Sequence, residues 1–282
     1  MTEIETIIKK QVLEFKDYLL AEERAAATIE KYVRDIRAFY RYLPEPKAMT
    51  RENVLLYKHF LGETYKTASA NSMLAALNQF LAFVHKSDLR VKLFRVQRSA
   101  FREQKKELSR EEYIRLVRTA KLKRNERLSF LLQAICSTGI RVSEHRFITW
   151  EALRSGRIVI VNKGKERTVF LPEELRRQLL NYCSSKGITS GPVFVTRTGK
   201  PLNRCNIWAE MKSLCTSAGV SSGKVFPHNL RHLFALTYYK LEKDIVRLAD
   251  ILGHSNIETT RVYTFTSGEE HMKALAKLHL LL

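Results

Sequence analysis

Apolar side chains recur at helical spacing through most of the first ninety residues, and this pattern constrains the fold more than any other feature of the chain. Pro44 and Pro46 interrupt the pattern, since proline ends a helix. Two further runs, at residues 54–61 and 72–85, predict a third and a fourth helix. Four helices of this size make a small bundle. The first two runs comprise Ile4, Ile7, Ile8, Val12, Phe15, Tyr18 and Leu19, and then Ile29, Tyr32, Val33, Ile36, Phe39, Tyr40 and Leu43.

The second half of the chain has a different pattern, mainly helical with a few short β-rich runs. Residues 157–161 and 167–171 flank a turn at 162–166 and predict an antiparallel hairpin. A third short strand is predicted at 193–196. The fold class is therefore mainly α with a small antiparallel sheet. Helices are predicted from the Ser109 capping box onward, at residues 126–137, from Pro227 to about residue 240, and at residues 244–252, where Gly253 ends the last one.

The charge of the chain indicates a polyanionic partner. Its 282 residues include 49 Lys and Arg against 29 Asp and Glu, a net charge of +20. Nucleic acid is the expected partner, with a ribosomal role or an anionic membrane surface as the competing explanation. The length suits two domains. We expect a helical domain at 1–94, a basic linker at 95–107 and a second domain at 108–282.

The linker carries five basic side chains that we expect on a DNA backbone, although a solvated surface loop would have a similar composition. These are Arg95, Arg98, Arg102, Lys105 and Lys106.

Cysteine usage and hydropathy point to a reducing, aqueous compartment. The four cysteines contain no C-x-x-C pair and predict free thiols, neither a disulfide framework nor a metal site. Residues 1–10 lack the apolar core of a signal peptide, and no apolar stretch reaches membrane-spanning length. We therefore expect a cytoplasmic protein that has no membrane association.

Two histidine-containing motifs near the carboxyl end suggest phosphoryl chemistry. His228 and Arg231 lie in one motif, and His254 precedes Tyr263 by nine residues. Tyrosine has an ordinary pKa near 10, so as a nucleophile it needs a proton acceptor nearby and cations around its target. These residues can supply both to a phosphodiester.

Four motifs in order resemble the tyrosine recombinase, or phage integrase, family. They are Thr-Gly-Ile-Arg-Val-Ser-Glu at 138–144, Lys-Gly-Lys-Glu-Arg at 163–167, His-Asn-Leu-Arg-His at 228–232, and Leu-Gly-His at 252–254 followed by Tyr263. The chain looks most like the short two-domain bacterial members of the Xer type. Such a resemblance implies a helical core-binding domain followed by a catalytic domain.

The resemblance also implies roles for individual residues. Arg141 and Arg231 would clamp the scissile phosphate, and His228 and His254 would bind it and help to deprotonate the tyrosine. Tyr263 would form a covalent 3′-phosphotyrosyl intermediate, with neither metal nor ATP.

Lys163 would protonate the departing 5′ oxygen. The family turn is commonly one residue longer, so Lys165 remains an alternative.

Two residues are expected to support this set. Glu144 would orient Arg141. His232, which follows Arg231 on the same helix, is expected to point away from the site.

The resemblance further implies duplex DNA with inverted half-sites as the substrate. The protein would be a monomer in solution and a homo-tetramer on DNA. Residues 264–282 form an apolar tail that either folds back on its own domain or docks on a neighbouring subunit, as the family does.

Two other functions use the same residues differently. A type IB topoisomerase-like enzyme would share the chemistry. A non-catalytic DNA-binding regulator could share the fold, although it has no need of a nucleophile.

Overall fold

The structure, a computed structural model, describes residues 3–96, 107–162, 164–264 and 276–277. The chain divides into two compact units, Met1–Arg98 and Ser99–Leu282. Most of the predicted basic linker lies outside the described residues. Within the described residues, no helix is both long and apolar enough to cross a lipid bilayer.

The first unit is built from four helices. These are α1 (Glu3–Ala21), α2 (Ala26–Tyr42), α3 (Arg51–Thr64) and α4 (Thr67–Phe83). Their inward faces form one core in which Phe15, Phe39 and Phe80 are fully buried. The helical periodicity predicted all four, but α3 and α4 begin three and five residues earlier than predicted. The first residues of α3 are polar and those of α4 alternate alanine with polar residues, so neither start carries an apolar helical period.

The second unit is also mainly helical. Its helices are α5 (Arg110–Leu122), α6 (Glu126–Thr138), α7 (Trp150–Ser155), α8 (Glu173–Lys186), α9 (Arg204–Ala218), α10 (Pro227–Glu242) and α11 (Ile245–Leu252). The predicted capping box is present at α5, where the Ser109 hydroxyl accepts from the Glu112 backbone N–H and the Glu112 carboxylate accepts from that of Ser109.

The sheet of the described residues has two strands, β1 (Arg157–Asn162) and β2 (Lys165–Phe170), paired antiparallel. The predicted turn was too long: Lys165 already pairs with Asn162, so the connection is only residues 163 and 164. The third strand predicted at 193–196 was wrong. Val195 forms a single bridge with Pro201, and Val193 and Phe194 are buried because they pack in the core of the unit.

Two left-handed glycines end the helices that lead to the candidate site. Gly139 ends α6 with φ of 67°, and Gly253 ends α11 with φ of 64°. A side chain at Gly139 would also collide with Phe234, since a Cβ there would lie 2.4 Å from a ring carbon. Only glycine satisfies both the backbone conformation and the space at this position.

Candidate active site

Arg141 lies just beyond the end of α6. Gly139 ends α6, and Arg141 is the N-cap of the short 3-10 helix Val142–Phe147. The Glu144 carboxylate accepts from the Arg141 backbone N–H at 2.7 Å and from its Nη1 at 3.0 Å. About a third of the Arg141 side chain stays exposed (36 %), so it can reach a ligand.

Arg231 is buried on α10 and joins two helix ends. Its Nη1 donates to the Gly139 carbonyl and its Nη2 to the Leu252 carbonyl, both at 2.7 Å. These carbonyls close α6 and α11, whose C-terminal ends carry partial negative charge. Burial, followed by the nearby charge of Arg141, lowers the pKa of Arg231 to about 10, so it remains charged at neutral pH.

His254 follows directly on Gly253 and is held on both ring nitrogens. Arg231 Nη2 lies 3.0 Å from Nε2, and Thr260 Oγ1 lies 2.8 Å from Nδ1. Because arginine only donates, Nε2 must be the acceptor and Nδ1 carries the proton in the neutral ring. Burial first, and then the charge of Arg231, lowers the pKa of His254 to about 4.

Tyr263 is buried in a single 3-10 turn, Arg261–Tyr263, beyond α11. It packs in a small core with Ala235, Leu248 and Leu252 from α10 and α11. Ionisation of the Tyr263 phenol would raise the pKa of the Arg231 guanidinium, against the larger effect of burial. Tyr263 packs with Leu252, whose carbonyl accepts from Arg231, so the phenol lies near that guanidinium.

His232 lies against the ring of Tyr263, with ring centroids 5.0 Å apart. Its Nε2 is 3.6 Å from a carboxylate oxygen of Glu107. The expectation that His232 points elsewhere was wrong, because the turn after α11 brings Tyr263 back over the side of α10 that carries His232. Its position supports the tyrosine ring.

His228 stands at the beginning of α10, one turn before His232, and is exposed. The two imidazole centroids are 6.4 Å apart. Partial burial, followed by the charges of Arg231 and Arg141, lowers the pKa of His228. The ring is therefore an accessible, neutral imidazole at physiological pH.

The electrostatic balance of the cluster favours an anion. Three guanidinium groups, from Arg141, Arg167 and Arg231, surround the single carboxylate of Glu144. Burial by itself raises the pKa of Glu144, but hydrogen bonds from Arg167 and from the Arg141 backbone outweigh it, so its pKa lies below the usual range. Three positive charges and one negative charge leave an excess of two, which favours the binding of an anion such as a phosphodiester.

Lys163 and four residues of the basic linker lie outside the described residues. Arg95 is the linker residue of this set that the structure describes. It is exposed and lies in no helix or strand. Among the described residues, no group of three or more His, Cys, Asp or Glu side chains is arranged to hold a metal ion. The four linker residues that lie outside the described part of the chain are Arg98, Arg102, Lys105 and Lys106.

The sequence interpretation gave no role to Arg167, Thr260 or Glu107, which the structure places around the site. Arg167 had a usable signal: it lies two residues before the buried Val169 on β2, so it faces inward. A charged residue on the inner face of a strand implies a buried partner. Thr260 and Glu107 had no comparable signal, because their contacts come from elements distant in sequence.

Two family models match this chain. Residues 106–270 match the phage integrase family, and residues 12–87 match the phage integrase N-terminal SAM-like domain. Tyrosine recombinase XerA of Thermococcus kodakarensis is 31% identical over 279 residues, covering 95% of each chain.

Solved structures share the fold at lower identity. A XerH site-specific recombinase bound to its difH substrate matches with a TM-score of 0.68 and 19% identity, covering 97% of this chain and 83% of that one. A lambda integrase tetramer bound to a Holliday junction matches with a TM-score of 0.71 and 18% identity, covering 90% and 76%. From its sequence matches, the chain belongs to the phage integrase family, the tyrosine recombinases.

Proposed function

We propose that this chain is a site-specific DNA recombinase that cleaves and rejoins duplex DNA through a covalent 3′-phosphotyrosyl intermediate on Tyr263. The observation that carries the proposal is the convergence of Arg141, Arg231 and His254 beside the Tyr263 ring. A phosphodiester bound there would meet two guanidinium groups and a nucleophile at once.

The proposed reaction is a transesterification. The Tyr263 oxygen attacks phosphorus, a new P–O bond forms, and the bond from phosphorus to the 5′ oxygen breaks. Lys163, or alternatively Lys165, gives a proton to the departing 5′ oxygen. Attack by a 5′ hydroxyl of the partner strand reverses the step, so the bond energy is conserved and no ATP is consumed.

The tyrosine proton needs an acceptor, and the two histidines differ in their suitability. His254 Nε2 already accepts from Arg231 in the free protein. His228 is exposed and its pKa is lowered, so it is neutral and can take a proton at physiological pH. We therefore assign proton acceptance to His228, and phosphate binding to Arg141, Arg231 and His254.

The finer partner assignments are parts of the same proposal. The substrate is duplex DNA with inverted half-sites. The net charge of +20 favours binding to DNA. The protein is a monomer in solution and assembles as a tetramer on DNA, as the lambda integrase complex with a Holliday junction does. Its site of action is bacterial nucleoid DNA. In this proposal the domains at 1–94 and 108–282 both bind the duplex, and the 95–107 linker lies along its backbone.

Trapping the covalent complex tests the proposal. Bound duplexes are selected from a random pool, and a nick is placed next to the cleavage position so that the released strand diffuses away. Wild type should form an adduct that survives sodium dodecyl sulfate, whereas Tyr263→Phe should bind but form none.

A second tyrosine provides the matched control. Tyr239 lies half-buried on α10, and the Lys243 ammonium lies over its ring. Because the proposed reaction does not use its hydroxyl, Tyr239→Phe should form the adduct normally. An adduct with Tyr263→Phe refutes the nucleophile assignment. Absence of any adduct with wild type favours the DNA-binding regulator. Relaxation of supercoils without exchange between two sites favours the topoisomerase-like alternative.

A further inference from the structure

The Glu144 carboxylate is shared by two arginines that come from different parts of the chain. Arg141 donates to it from its backbone N–H and from Nη1. Arg167 donates from Nη1 to Oε1 at 3.1 Å and from Nη2 to Oε2 at 2.7 Å. Since Glu144 is only 2% exposed, these groups and not water satisfy its charge.

Arg167 is wedged between this carboxylate and the turn that carries His254. It comes from β2, opposite Ile160, and its side chain is only 15% exposed. Its Cδ would lie 2.6 Å, and its Nε 2.9 Å, from a Cβ added to Gly253. The Nε is buried and has no hydrogen-bond partner among the described residues. Burying a guanidinium whose Nε has no partner costs free energy of folding. Fold stability alone therefore does not explain why an arginine stands at this position.

The geometry makes Arg167 a competitor of Arg141 for the same acceptor. Arg167 takes one bond to each oxygen of Glu144, which is the favoured two-bond pairing of guanidinium and carboxylate. The Arg141 side chain keeps one bond to Glu144, and its Nη2 makes a long contact of 3.3 Å with the Gly253 carbonyl. Without Arg167, the carboxylate could draw Arg141 into the two-bond pairing and away from a ligand.

We infer that Arg167 is a positioning residue that occupies Glu144 and thereby keeps the Arg141 guanidinium free for the scissile phosphate. The inference rests on the proposed function. It assigns a task to a residue that makes no direct contact with the reacting atoms, and it ties β2 to the phosphate clamp.

The first test is the rate of cleavage by Arg167→Met, which keeps most of the side-chain volume and removes the charge. Single-turnover cleavage of the nicked duplex, per folded molecule, should fall about 10- to 100-fold, the usual loss when a group that orients a ligand-binding residue is removed. Affinity for uncleaved DNA should change little, because many other cations contact the backbone.

Arg127 offers a matched control in the first turn of α6, at the opposite end of this helix from Arg141. It is half-buried, pairs with Glu210 at 2.7 Å, and also has a buried Nε without a partner among the described residues. Arg127→Met should therefore lower stability in the same way but leave cleavage per folded molecule unchanged. Comparable slowing in both variants would mean that Arg167 acts only through general stability, and the inference would fail.

The second test combines Arg167→Met with Glu144→Gln. Removing the carboxylate removes the group that captures Arg141, so the double variant should cleave at least about tenfold faster than the product of the two single effects predicts. Independent, multiplicative effects would contradict the competition. Arg167→Lys, which retains the charge, should cleave faster than Arg167→Met and supplies a measurable variant if the methionine protein does not fold.

A third test distinguishes the clamp from the general acid, since β2 begins only two residues after residue 163. A substrate with sulfur at the 5′ bridging position leaves without protonation. It should not restore cleavage by Arg167→Met; restoration would show that Arg167 positions the general acid and not Arg141. Failure of wild type to form any adduct would overturn the proposed function, whereas normal cleavage by Arg167→Met in an active background overturns only this inference.

Discussion

Arg231 donates a hydrogen bond from Nη2 to Nε2 of His254 over 3.0 Å, and this contact fixes the protonation state of the imidazole. The Nε2 lone pair is occupied, and the Nδ1 proton is directed at Thr260 Oγ1. A bound phosphate offers Arg231 a better acceptor and adds negative charge beside the ring. Under the proposed function, phosphate binding would therefore release Nε2 and favour its protonation.

The pKa of His254 should respond to its arginine neighbours. Burial is the largest cause that holds this pKa at about 4, and the charge of Arg231 is the next. Arg231→Ala should therefore raise the pKa towards the ordinary value near 6.5 without reaching it. Arg141→Ala should raise it less. Two-dimensional NMR of the imidazole protons over pH 3–8 measures both; an unchanged titration in Arg231→Ala would contradict the contact.

Fold stability should depend on pH through the same residue. The folded pKa of His254 lies below its ordinary value, so the unfolded chain binds the proton more readily. Its contribution to the free energy of unfolding is complete above about pH 6.5 and declines as the pH falls towards 4. Urea unfolding of wild type and His254→Gln between pH 4 and 8 should show a weaker pH dependence in the variant. Parallel curves would refute this prediction.

The two clamp arginines should differ in their effect on stability. Replacing either by Ala should cost roughly 3–4 kcal/mol of transition-state stabilisation in cleavage, as loss of an oxyanion donor does. Arg231→Ala should also destabilise the fold by about 1–3 kcal/mol for each buried carbonyl left without a donor. Those carbonyls belong to Gly139 and Leu252. Chemical denaturation checks the second effect, and equal stability losses for Arg141→Ala would contradict it.

Lys163→Ala should slow cleavage, and a 5′-bridging sulfur substrate should restore it, because sulfur leaves without a proton. Lys165 is the natural comparison. It is the first residue of β2 and pairs with Asn162, whereas Lys163 lies outside the described residues. If the sulfur substrate restores cleavage by Lys165→Ala but not by Lys163→Ala, Lys165 is the general acid.

Removing the residues after Gly268 should separate binding from exchange. The tail is too apolar to lie free in water, and its residues from 268 to 275 lie outside the described part of the chain. The truncated protein should bind a single half-site in a gel shift but recombine a two-site plasmid poorly, since strand exchange requires coupled active sites. Recombination at the full-length rate would mean that the tail only packs locally.

The sequence by itself determined the elements and the residue types of the site. Apolar periodicity predicted α2 and α4, and a serine–glutamate pair predicted the start of α5, because these signals act within one or two helical turns. The ordered motifs around Arg141, Arg231 and Tyr263 indicated the family before any contact was known.

The tertiary structure decided which of those residues support one another. Arg231 bonds to Gly139, 92 residues away, and Glu144 bonds to Arg167 on β2, 23 residues away. Packing between distant elements also turns His232 towards Tyr263. It likewise decides that residues 193–196, which the structure describes, form no strand. Local spacing fixes which side of an element a residue occupies, but packing between distant elements fixes what that side meets.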